Sequence, residues 1–119
     1  MDLQIDDHEI DPETHVIDVA GQIDLYSAPE FKERTLRVIE RGKRRIVVDL
    51  SGVTFMDSTG LSVLVGAFKR LRLMDGRLAI VATDDDIRRI FEITGLDRSF
   101  TLCRGREDAL EALAGARCG

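Results

Sequence analysis

The 119 residues are 44% hydrophobic and 33% charged, the balance of an ordinary folded chain, and they are enough for one domain over residues 1–119 with a single core. A formal charge of −5 argues against nucleic acid or an anionic membrane as the main partner, because both need a basic footprint. With no Trp and one Tyr there is no aromatic platform for stacking bases or sugars.

In chain order, Leu3–Ile10 and His15–Ala20 read as two short strands around the turn-forming Asp11-Pro12-Glu13, and their spacing suggests a hairpin. Ser27-Ala28-Pro29-Glu30 then starts a helix, with Ser27 and Glu30 at capping-box spacing and Pro29 in the first turn. Ala28, Phe31, Val38 and Ile39 form its apolar face, and Gly42 ends it. Ile46-Val47-Val48 is a β-branched run between charge and Ser51-Gly52, which predicts a buried strand running out at Leu50. After a loop, Leu61, Leu64, Val65, Phe68 and Leu71 recur at helical steps, and Gly76 stops that helix. Leu78–Ala82 is a further core strand. Thr83-Asp84-Asp85-Asp86 caps a helix carrying Ile87, Ile90 and Phe91 that closes at Gly95-Leu96. Phe100-Thr101-Leu102 reads as the last strand, and Glu107–Ala114 as a last helix with Leu110 and Leu113 inward.

A hairpin followed by strand–helix alternation implies an α/β fold with a mixed sheet of about five strands, the later ones parallel and joined by right-handed crossovers. Sites in such sheets gather at the carboxyl ends of strands. Asp24 follows the second strand and Ser58 the third, so both are expected on one rim.

Asp57-Ser58-Thr59-Gly60 opens the central helix where outward N–H groups favour an anion. Ser58 there is either a helix cap or a place to put a phosphate, and the two are compatible. Asp57 is a loop acid near a helix dipole or a partner for the Ser58 hydroxyl. Asp24 is an Asx-turn former or a partner contact. Lys43-Arg44-Arg45, Lys69-Arg70-Leu71-Arg72 and Arg88-Arg89 read as solvated faces, and Gly66 as a point of close approach to the sheet. His8 and His15 lack acids or cysteines at ligand spacing, so no metal is expected. Cys103 and Cys118 fit neither a metal pair nor a disulfide framework, which predicts reduced thiols. No GxxxxGK(S/T), GxSxG or HExxH occurs, so neither catalysis nor a cofactor is expected. No apolar run approaches the ~20 residues of a membrane span. Met1-Asp2-Leu3-Gln4 lacks the start of a signal peptide, and a cytoplasmic location is expected.

Phe55-Met56-Asp57-Ser58-Thr59-Gly60-Leu61 resembles the hydrophobic-Met-Asp-Ser-(Ser/Thr)-Gly-Leu motif of the anti-sigma factor antagonists, bacterial proteins built on a STAS domain. Gly21-Gln22-Ile23-Asp24 is similar to that family's early Gly-x-(Leu/Ile)-Asp turn. Ile90-Phe91-Glu92-Ile93-Thr94-Gly95-Leu96 is similar to its late helix, so the resemblance spans nearly the whole chain. It implies phosphorylation at Ser58 and partner contacts through Asp24, Asp57, Ser58, Thr59 and Gly60. It further implies that the unphosphorylated form binds an anti-sigma factor with serine kinase activity and frees a sigma factor. Phosphorylation would end that binding, and a serine phosphatase would restore it. Two alternatives stand beside this reading. One is a STAS domain in another regulatory scaffold or transporter-associated complex. The other is a phospho-aspartate receiver at Asp49, with Asp6-Asp7 and Thr83 imitating its site; it is disfavoured because His15–Ala20 reads as a strand where a receiver needs a helix.

Overall fold

The computed structural model describes residues 3–115. β1 (Gln4–Asp11) and β2 (Thr14–Ile23) pair antiparallel as the expected hairpin. β3 (Arg45–Met56), β4 (Arg77–Val81) and β5 (Thr101–Cys103) follow in parallel, giving one sheet in the order β1-β2-β3-β4-β5. The helices are α1 (Ala28–Glu40), α2 (Ser58–Leu73), α3 (Asp85–Thr94) and α4 (Arg106–Gly115), with a 3₁₀ turn at Leu96–Arg98.

The inner strands are apolar on both sides because helices cover both faces. Ile17, Ile46, Val48 and Ile80 pack with Phe31 of α1, Leu64 of α2 and Phe91 of α3. Their neighbours Val16, Val47, Ala79 and Val81 point the other way, onto Ala109 and Leu113 of α4. Leu110, expected inward, is only half-buried; Ala109 takes the central place.

β2 and β3 run longer than the expected ends at Ala20 and Leu50. They stay paired up to Ile23 and Met56 through two register shifts. Gly21, at the second shift, has φ +103°. A Cβ on Gly52 would lie 2.8 Å from the Ala20 side chain. The glycines that resemble strand breakers are therefore bulge and close-approach positions.

Four local expectations are corrected. Ser27 makes no side-chain cap bond to α1; its hydroxyl donates instead to the Gln22 carbonyl at 2.8 Å. Gly66 is exposed and a Cβ there would meet nothing within 4 Å, so sheet packing does not explain it. Gly76 does approach closely, since its Cβ would lie 2.8 Å from the Arg44 carbonyl, but Asp75 supplies the left-handed turn at φ 59°. Finally, the basic runs are not wholly solvated. Buried Lys43 donates to the Glu9 carboxylate and to the Pro12 carbonyl at 3.0 Å, and Arg88 donates to the carbonyls of Ala82 and Cys103.

Asp49, the acid of the receiver reading, is buried and structural. Its carboxylate accepts from Ser51 N–H and hydroxyl and from Arg106 of α4, which also pairs with Asp18. Burial pushes this carboxyl up, but the bonds from Ser51 and Arg106 outweigh it and hold it below the usual carboxylate range. Together with the antiparallel β1–β2 edge, this removes the receiver reading. Cys103 is a half-buried free thiol, and Cys118 lies outside the described residues.

Candidate functional site

Ile23 and Met56 are register partners at the ends of β2 and β3, and Asp57 N–H donates to the Ile23 carbonyl at 3.2 Å. Asp24 and Asp57 therefore leave adjacent strands side by side, on the shared rim expected from the sequence.

On the first strand exit, the Asp24 carboxylate accepts from Tyr26 N–H at 2.9 Å and Ser27 N–H at 3.0 Å. The Ser27 hydroxyl accepts from Asp24 N–H at 2.9 Å. These reciprocal bonds make an Asx turn that enters α1. The Ser27 N–H is the main cause of an Asp24 pKa below the ordinary value, so the carboxylate is charged at neutral pH. The turn pushes two apolar side chains outward: Leu25 is 66% exposed and Tyr26 89%.

On the second exit, Asp57 is the N-cap of α2, with extended backbone at φ −105°. Its carboxylate accepts from Thr59 N–H at 2.9 Å and from the Thr59 hydroxyl. Asp57 thus takes the capping role and binds Thr59, not the Ser58 hydroxyl that one reading gave it. Ser58 is the first residue of α2 and is exposed. Gly60 is buried, and a Cβ there would lie 2.7 Å from Met56 Cγ and 2.8 Å from Ile23 Cγ2. Among the residues named for partner contact, Gly60 acts by letting α2 sit tightly against both strand ends.

Phe55, 48% exposed, stands on the strand end leading to this corner. The site thus combines an accessible hydroxyl at a positive helix end, two acids and three exposed apolar side chains. As exposed contacts, Leu25 and Tyr26 escaped the sequence reading, and Phe55 entered it only as the hydrophobic position of the motif. Leu25 and Tyr26 belong to no periodic pattern, although the only Tyr of the chain held between Asp24 and Ser27 was a usable signal. Phe55 shares parity with buried Val53 and turns outward because the bulged register breaks the alternation. Among the described residues, no group of three or more His, Cys, Asp or Glu could hold a metal ion, and no helix is long and apolar enough to cross a membrane.

Residues 7–109 match the STAS domain family model. The anti-sigma-B factor antagonist of Listeria monocytogenes is 44% identical over 97 residues, covering 81% of this chain and 84% of that protein. The crystal structure of an anti-sigma factor antagonist from Mycobacterium paratuberculosis superposes with a TM-score of 0.88 at 31% identity, over 95% of both chains. At the level of the fold alone, the Bacillus cell fate determinant SpoIIAA in its phosphorylated form matches with a TM-score of 0.72 at 22% identity, over 91% of this chain and 97% of that one. With the motif in place at the start of α2 and relatives of this identity over most of its length, the chain belongs to the STAS-domain family of anti-sigma factor antagonists.

Proposed function

We propose that this protein is a phosphoswitch that acts by binding and not by turnover. Its unphosphorylated form binds an anti-sigma factor that is also a serine kinase, and so frees a sigma factor. Phosphate on Ser58 ends that binding, and a separate serine phosphatase restores it. The observation that carries the reading is the place of Ser58: exposed at the first position of α2, its neighbour acid engaged by Thr59, and beside a rim bearing Asp24, Leu25, Tyr26 and Phe55.

The physics is sufficient without refolding. An exposed aromatic held by a bonded turn is the kind of side chain that anchors an interface. A phosphate adds about −1.5 to −2 charges and three strong acceptor oxygens to a surface that must lose water on binding. Left unmatched in an interface, such charge costs on the order of several kcal/mol.

The test is to mix the purified chain with its cognate anti-sigma factor and ATP and to map phosphate by peptide mass spectrometry. Ser58 should be the major acceptor. Ser58→Ala should abolish incorporation while the partner is still retained. Phosphate on Thr59 or Asp49 would reject the assignment. So would hydrolysis of ATP or phosphoesters by the isolated chain that vanishes with a single acid-to-amide change.

A further inference from the structure

A groove of about 620 Å³ runs between α1 and α2, beginning at Leu25 and Thr59 and ending at Arg70. Its volume is within the range of small-molecule sites. The walls are mainly apolar, from Ala28, Pro29 and Leu36 on one side and Val63 and Ala67 on the other. Gly66 leaves part of this space open: it is exposed and no neighbour lies within 4 Å of where its Cβ would stand.

Charge gives the groove a chemistry. Thr35 lies in its wall at 1% exposure, with its unpaired hydroxyl closed off from the groove. The charged residues of the lining are Lys32 and Arg70, both exposed cations, and no acid lines the groove. Neither takes part in the ion pairs found among the described residues. In a chain of net charge −5, a groove lined by cations alone selects for an anion.

We infer that the α1–α2 groove binds an amphipathic carboxylate, its apolar body against the Leu36 and Val63 walls and its anionic head drawn by the exposed cations Lys32 and Arg70. This site is independent of the Ser58 reading, since the ligand needs neither the Ser58 hydroxyl nor the partner.

The test uses octanoate, octan-1-ol and octylammonium as probes on the full chain, followed by calorimetry and by amide chemical shifts. Octanoate should bind saturably with one site and move resonances of α1 and α2 around Lys32, Thr35 and Gly66. The alcohol and the ammonium should bind roughly tenfold or more weakly, because they lose or reverse the ionic contact. Lys32→Gln with Arg70→Gln, both at the surface, should give the same loss for octanoate without changing the melting temperature. Gly66→Leu should block the groove, with Gly66→Ala as the folded control in which space remains. Ser58→Ala should bind octanoate as the parent does. No saturable binding, equal affinity for the three head groups, or shifts confined to other surfaces would overturn the site. Loss of the protein partner in Gly66→Leu, without octanoate binding to the parent, would assign the groove to the protein interface and overturn the ligand reading.

Discussion

Two glycines six residues apart on α2 have opposite surroundings, and opposite outcomes follow from replacing them. At Gly60 a methyl group would press on Met56 and Ile23 at under 3 Å. Gly60→Ala should therefore cost roughly 1–3 kcal/mol, the range for overpacking a close contact. At Gly66 the same methyl meets nothing, so Gly66→Ala should stabilise by about 0.5–1 kcal/mol through helix propensity. Urea unfolding of the two variants checks both signs, and a destabilised Gly66→Ala would mean that the groove wall is less open than described. The same contrast marks what the sequence could disclose about the site. The places of Asp24, Asp57, Ser58 and Gly60 at the strand–helix junctions were legible, because a hydroxyl, acids and a glycine there carry local chemistry. Tyr26 and Phe55 were not, because an exposed aromatic is recognised only once the turn or bulge that turns it outward is known. Tyr26→Ala should accordingly weaken partner binding by roughly tenfold or more while leaving the melting temperature within a degree or so. Equal affinity would remove Tyr26 from the interface.

The start of α2 is held by Asp57, whose carboxylate satisfies the Thr59 N–H, and that assignment separates two neighbouring substitutions. Asp57→Ala should lose about 1 kcal/mol, the worth of an N-cap. Ser58→Ala should change stability little, because the exposed Ser58 follows the cap. Thermal unfolding that ranked the two the other way would return the capping role to Ser58. Elements with strong periodicity were legible in the sequence: α2 buries Leu61, Leu64 and Leu71, α1 buries Phe31, Val38 and Ile39, and Asp84 caps α3 as its acidic run suggests. Boundaries were less so, and for one recurring reason. Ser51-Gly52 and Gly21 look like strand ends, but the tertiary pairing of β2 with β3 absorbs them as bulges and carries both strands several residues further. Local composition cannot distinguish a glycine that ends a strand from one that lets two strands approach.

At the scale of the whole molecule, charge ties elements far apart in sequence, and acid should release such a tie. Asp7 of β1 accepts from Arg34 of α1 at 2.7 Å and contacts His15 of β2 at 2.7 Å. The Arg34 bond first, then His15, lowers its pKa from 3.8 to about 2. A lowered folded-state value means stability that is present above about pH 4 and is lost as pH falls toward 2, on the order of 1 kcal/mol after screening by solvent. Asp7→Asn should remove that part of the acid slope, as read by unfolding between pH 2 and 5; an unchanged slope would mean that the pair is not formed in solution. Phosphate on the proposed acceptor Ser58 should act differently, because it meets no such network. The helix start attracts it by ~0.3–1 kcal/mol, while Asp57 beside it repels it by a comparable screened amount. Since those fields nearly cancel, the fold should keep its melting temperature. The partner cannot compensate in the same way: roughly 3–5 kcal/mol of unmatched interface charge lowers affinity by about 10²–10³-fold or more. Ser58→Asp should reproduce part of that loss, carrying less charge and fewer oxygens. Calorimetric binding and thermal unfolding of the phosphorylated and unmodified chains decide the matter. A large shift in melting temperature, or equal affinities in the two forms, would replace the local charge switch with a conformational one.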